Sequence, residues 1–145
     1  MLHSLSTGRR AFAVISYGLG LLAAACTAMP LRAAEETATP VFQHSLPNAP
    51  GKKIIAVRVD YEPGAKSAPH THAPSAFIFA YVLAGQIRSQ VGDEPAQTYK
   101  AGESFDEVPG SKHRISENAS ATDPASLLAV FVVDDGDTPL TTPMK

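Results

Sequence analysis

Turn-forming residues cut this chain into short extended runs, and no run between them carries a helical period. Pro63-Gly64, Gly85, Gly92, Pro95, Gly102, Pro109-Gly110 and Pro124 separate segments that are apolar or alternate in character. Breakers at that spacing end strands and start turns; a helix needs about ten uninterrupted residues. Residues 53–61 set Ile55, Val57, Val59 and Tyr61 against Arg58 and Asp60, the pattern of a half-buried strand. Residues 77–84 are apolar on both faces, which predicts a strand buried on both sides. Residues 86–91, 98–100, 104–108 and 114–116 read as further short strands, and residues 127–133 as a valine-rich one. Residues 35–40 read as a polar linker, residues 118–124 as a loop and the segment from Asp134 as a polar tail. The expected fold class is all-β, a sandwich or barrel.

The first 34 residues have a different character. Arg9-Arg10 precedes an uncharged apolar stretch over residues 11–25, which predicts an export signal and a periplasmic protein. Thr7-Gly8-Arg9-Arg10 resembles a twin-arginine signal imperfectly, and an ordinary secretory signal fits nearly as well. Ala23-Ala24-Ala25-Cys26 resembles a lipobox, so a lipid anchor at Cys26 is the alternative, as is an uncleaved anchor helix. Cys26 is the only cysteine, so the domain after the leader has neither disulfide nor thiolate chemistry. Net charge is −2 and no basic run lies outside the leader, which argues against a nucleic-acid surface.

The chemistry concentrates in histidines. His70 and His72 are two apart, so in a strand they share a face and offer two imidazoles to one point. His113 follows the Pro109-Gly110 turn and supplies a third. Three neutral imidazoles suit a divalent transition metal with open positions. They also leave the ion's double charge uncompensated, which favours an anionic or chelating ligand. The alternative is that His70 and His72 face solvent and His113 caps a turn. His44 lies apart and reads as structural or exposed; His3 belongs to the leader.

These residues resemble the two motifs of the cupin superfamily. Gly64, five residues, then His70-Thr71-His72 match the first motif, which Gly85 closes. Gly102, Gly110 and His113 keep the spacing of the second, with Pro109 displaced by one position and Asn118 one residue late. The resemblance covers residues 53–133. It implies a single-domain double-stranded β-helix, a jelly-roll barrel over residues 53–135, between a linker with first strand (35–52) and a tail (136–145). It also implies metal ligation by His70, His72 and His113, and pairing as a homodimer.

One departure stands out. The family's glutamate ligand belongs near Ala76 to Ile78, with Ile78 at the place counted back from Gly85, and no acid stands between Glu62 and Asp93. Glu107, just before the turn that delivers His113, is the best substitute, either as a ligand or as an orienter of a histidine. The alternative is a solvent-facing glutamate. Gln90 is a second polar candidate for the barrel interior, with an exposed edge as its alternative. Phe79, Tyr81 and Phe105 are candidates for the pocket wall or the core; Glu103 reads as surface.

The expected function is a metal-dependent cupin, a dioxygenase or isomerase acting on a small chelating substrate. The alternative is a module that binds a small molecule or a metal without chemistry, and the third possibility is a shell with a dead site. Iron, manganese, zinc, nickel and copper all suit such a donor set. The scaffold does not choose the reaction.

Overall fold

The longest run of register in the protein joins residues 52–61 to residues 125–134, antiparallel from Lys52↔Asp134 to Tyr61↔Ala125. Both segments are rich in Val, Ile and Leu, and their alternate residues are buried, so this pair forms the spine of one sheet. The structure, a computed structural model, describes residues 34–145. The expected leader and the Cys26 anchor lie outside the described residues.

Ten strands and no helix occur among the described residues. They are β1 (Glu36–Ser45), β2 (Lys52–Tyr61), β3 (His70–His72), β4 (Phe77–Ala84) and β5 (Gln86–Val91), then β6 (Gln97–Lys100), β7 (Ser104–Glu107), β8 (Lys112–Asn118), β9 (Ala125–Asp134) and β10 (Thr141–Pro143). One five-stranded sheet runs β1-β2-β9-β4-β7 and the other β10-β3-β8-β5-β6. Every pairing is antiparallel. From β2 to β5 and from β6 to β10 successive strands alternate between the sheets, a jelly roll whose core lies between the two layers. Ile78, Val82, Ile87 and Val133 are its most buried large side chains, each at most 1% exposed.

Gly85 shows why a breaker is required where β4 gives way to β5. Its φ is +68°, and a Cβ there would meet the Pro124 carbonyl oxygen at 2.6 Å and the Ala125 Cβ at 2.8 Å. The loop after β8 is tied down by Asn118, which donates to the carbonyls of Glu62 and Asp123 and accepts from the Ser120 amide.

Three expectations are corrected. Residues 36–40 are not a linker but the first half of β1, held by ladder bonds to β2 rather than by burial, since every residue of β1 is exposed. The polar tail carries β10, whose backbone pairs with β3 although its side chains give no apolar signal. β4 is buried on one face only. Ile78, Ala80 and Val82 point inward, while Phe77, Phe79, Tyr81 and Leu83 are 37–44% exposed on the outer face.

Candidate metal centre

Backbone pairing, not sequence proximity, brings the three histidines together. His70 on β3 is the register partner of His113 on β8, and His72 lies two residues further along β3 on the same inner face. The ring centroids are 4.8 Å apart for His70–His72, 5.0 Å for His70–His113 and 6.3 Å for His72–His113. One nitrogen from each ring lies within 4.8 Å of the other two. Two metal–nitrogen bonds of about 2.1 Å span about 4.2 Å at most, so an ion draws the rings inward by a small amount.

Each ring is oriented by a second contact. His70 donates from Nδ1 to the Ala68 carbonyl at 2.7 Å, and His72 from Nδ1 to the Leu140 carbonyl at 3.1 Å. A carbonyl only accepts, so both Nδ1 atoms carry hydrogen and Nε2 is the free donor atom in the neutral rings. The Ser89 hydroxyl meets Nε2 of His113 at 2.9 Å, and Nδ1 of that ring turns toward the centre. Burial lowers the pKa of His70; the Ala68 bond opposes the shift only in part, and the neighbouring rings of His113 and His72 add to it. A ring held neutral is a ring ready to ligate.

Glu107 lies beside the three histidines. On β7 it is the register partner of Ile78 on β4, so the carboxylate sits directly across the sheet from the position where the sequence motif lacks its acid. It is 3% exposed. Its Oε1 lies 3.1 Å from Nδ1 of His113 and its Oε2 3.4 Å from Nε2 of His72. Burial alone would raise this carboxyl, but the neighbouring rings of His113 and His72 outweigh it and bring it down to about 2.

Nε2 of His72 and Oε2 of Glu107 are both buried and without a hydrogen-bond partner. With neutral His72, two bare acceptors face each other across that gap. Such a pair is costly unless something positive lies beside both, either a second proton on His72 or a metal cation. The donor set of three imidazoles and a carboxylate fits a transition-metal ion.

A cavity of about 410 Å³ opens off this group. Its walls are chiefly apolar, among them Val57, Val59, Ile78, Leu127 and Phe131. Phe105 lines it, its ring 6.0 Å from that of His113. At the other side lies a hydroxyl cluster, with Tyr61 Oη 2.9 Å from Ser67 Oγ and 2.8 Å from Ser116 Oγ. Burial raises the Tyr61 pKa despite these two bonds, so the phenol keeps its proton.

Three candidates for the cavity, Phe79, Tyr81 and Gln90, fall elsewhere. Phe79 and Tyr81 stack on the outer face of the sheet, away from the cavity, because β4 turns its even-numbered residues inward. Gln90 donates to the Glu94 carbonyl in the β5–β6 turn and does not line the cavity. Glu103 is exposed and accepts from the Lys100 amide; His44 is exposed and stacks on Phe42. Sequence reasoning missed Ser89, Tyr61, Ser67 and Ser116 as site residues. The inward phase of β5, set by Ile87, was the one signal able to point to Ser89.

A double-stranded β-helix with inward histidines from both motifs defines the cupin class. The Cupin domain profile matches residues 57–131, and the chain belongs to that family. Comparison with curated proteins gives no match. Among solved structures, an uncharacterised double-stranded β-helix protein from Klebsiella pneumoniae aligns at 20% identity with a TM-score of 0.59, covering 79% of this chain and 90% of that one. The protein TT1209 from Thermus thermophilus aligns at 24% identity and TM-score 0.55, covering 68% and 84%. A recombinant oxalate oxidase in complex with glycolate aligns at 22% identity and TM-score 0.58, covering 74% and 54%. The chain thus spans about half the length of the oxalate oxidase chains it resembles. At these identities the likeness is one of fold.

Proposed function

We propose that His70, His72 and His113 hold a divalent transition-metal ion, with Glu107 as the fourth protein ligand, and that the adjoining cavity takes a small chelating substrate. The observation that carries this reading is the buried, partnerless pair of His72 Nε2 and Glu107 Oε2 beside two further imidazoles. A bound ion supplies Lewis acidity toward a chelating oxygen group and, if redox-active, chemistry with dioxygen. The residues supply the rest. Ala68, Leu140 and Ser89 fix the rings, Glu107 removes one unit of the ion's charge, and the apolar walls exclude water. A dioxygenase or isomerase reaction on a chelated substrate fits this arrangement.

One observation favours a second reading, a module that binds without chemistry. Outside the four proposed ligands, the only acid lining the cavity among the described residues is the exposed Glu36, so none of them offers a spare buried carboxylate or imidazole as a general base. Elemental analysis of the purified protein, beside His70→Ala, tests the metal centre. Oxygen uptake and product analysis with a panel of diketones, catechols and thiols then separate the readings. Turnover supports the enzyme, and thermal stabilisation with no chemical change supports the binding module.

The chain is also proposed to be exported to the periplasm, with lipidation at Cys26 as the alternative. Cell fractionation tests this, and a full-length cytoplasmic product refutes it. The exposed apolar face of β4 supports pairing of two copies as a homodimer.

A further inference from the structure

The cavity has two polar ends and no cation of its own. Among the described residues neither lysine nor arginine lines it, and its charged side chains besides the histidine group are Glu107 and Glu36. A divalent ion held by three neutral imidazoles and one carboxylate carries a single net positive charge. A ligand bringing one negative charge neutralises it. A dianion leaves an excess charge among Val57, Ile78, Leu127 and Phe131 with no cationic side chain to pair it, which is costly between apolar walls.

The far end has a hydrogen-bond surplus. Tyr61, Ser67 and Ser116 bring three hydroxyls and therefore three O–H protons, yet they share only two hydrogen bonds. Whichever way the protons turn, one O–H is left over, and neither serine hydroxyl bonds another side chain or backbone group among the described residues. All three residues line the cavity. Ser116 and His113 lie on the inner face of β8, three residues and about 10 Å of strand apart.

We infer that the cavity holds a two-ended ligand: a singly negative, chelating oxygen pair at the histidine group and a hydrogen-bonding oxygen at the Tyr61 hydroxyl cluster, joined by an uncharged apolar body. This rests on the metal centre proposed above and adds the substrate class. Small dianions such as oxalate are selected against; compact β-diketones or hydroxy-ketones with a distal oxygen are selected for.

The test uses protein loaded with cobalt(II), whose visible spectrum reports both metal and ligand binding. Benzoylacetone, which loses one proton on chelation, is titrated beside its para-hydroxyl derivative and beside oxalate. The para-hydroxyl compound is expected to bind about ten-fold more tightly than benzoylacetone, the worth of one good buried hydrogen bond. Oxalate is expected to bind at least about ten-fold more weakly. Tyr61→Phe brings the ratio between the two diketones to about one, and Ser116→Ala lowers it. If Tyr61→Phe does not fold, Ser116→Ala carries the comparison. Equal affinity for the two diketones, or oxalate binding as tightly as either, overturns the inference. Cobalt bound with no spectral response to any diketone also overturns it and leaves the metal centre standing. Failure to bind cobalt overturns both.

Discussion

The two sheets divide the work. The β1-β2-β9-β4-β7 sheet turns Val57, Ile78, Ala80, Leu127 and Phe131 inward, and its central strands pair over long registers. The β10-β3-β8-β5-β6 sheet turns inward His70, His72, His113, Ser89 and Ser116, on strands as short as three residues. The first sheet wins stability from apolar area removed from water. The second buries polar groups that gain little for the fold and must be satisfied by one another or by a ligand. The site is thus a polar patch held against an apolar wall, and from the wall side come only the Glu107 carboxylate beside the histidines and the Tyr61 hydroxyl.

That division is broken most sharply by exchanging truncations between the sheets. His70→Ala is expected to cut metal affinity about 100-fold or more, read by competition with a chromophoric chelator. Its thermal midpoint without metal should move little, because the lost group was a polar one buried at a cost. Leu127→Ala, 4% exposed on the opposite sheet, is expected to lose about 2–5 kcal/mol in urea unfolding while the proposed ligands stay in place. If His70→Ala unfolds the metal-free protein as badly as Leu127→Ala, the division of labour is wrong.

The next effect concerns the acid that crosses over. Glu107→Ala should weaken metal binding about 10- to 100-fold, less than loss of a histidine. Because Ile78 and Glu107 face each other in register, the double exchange Ile78→Glu with Glu107→Ile moves the carboxylate one strand across. It is expected to restore much of the affinity lost in Glu107→Ala. No recovery would show that the centre uses three protein ligands and that Glu107 serves only to orient His113.

The all-β class, most of the strands, the two motifs and the shared face of His70 and His72 were legible because turn residues and two-residue periodicity are local signals. The pairing of β4 with β7 is not local. No pattern in residues 77–84 or 104–107 announces that position 78 faces position 107, so Glu107 could be nominated only by its closeness to a turn. The same gap hid Tyr61 with Ser116, separated by 55 residues. Phe79 and Tyr81 went wrong for another reason. An apolar run gives no phase, and only the inward Ile78, Ala80 and Val82 decide which side faces the core. β10 and the first half of β1 escaped notice because their pairing rests on backbone bonds rather than on side-chain pattern.

A smaller effect follows from the lowered pKa of His70. In the unfolded chain this imidazole takes up a proton near its ordinary 6.5, whereas in the fold it resists doing so. The unfolded state therefore binds more protons as pH falls below that value, and stability declines with it. The metal-free protein should show a falling thermal midpoint from pH 7 toward pH 5, with a shallower slope in His70→Ala. Glu107 acts lower. Its carboxyl, held near 2 against an ordinary 4.5, stabilises the fold above about pH 4.5, and that contribution is lost as pH falls toward 2. A pH scan from 7 down to 2 in Glu107→Gln should lose this second decline and keep the first.

The smallest effect on the site, and the largest on assembly, belongs to the outer side of the apolar sheet. Across its strands one row reads Phe42, Ala56, Val130, Phe79 and Asp106, and the next reads Arg58, Leu128, Tyr81 and Ser104. The centre of both rows is apolar and the charges stand toward the ends, the pattern of an association surface with a polar rim. Phe42, Phe77, Phe79 and Tyr81 are each more than a third exposed, so each leaves on the order of 80 Å² in water. Covering them with a second copy would remove that area without touching the inward-facing donors. Phe79→Ser with Tyr81→Ser is accordingly expected to leave metal affinity within about two-fold, because neither ring reaches the cavity, and unfolding free energy within about 1 kcal/mol. Sedimentation velocity should show the parent chain as a dimer and the double variant as a monomer. A monomeric parent at tens of micromolar would leave this face without a second copy as its cover, while a metal affinity that falls with the dimer would mean that the two sides of the sheet are coupled.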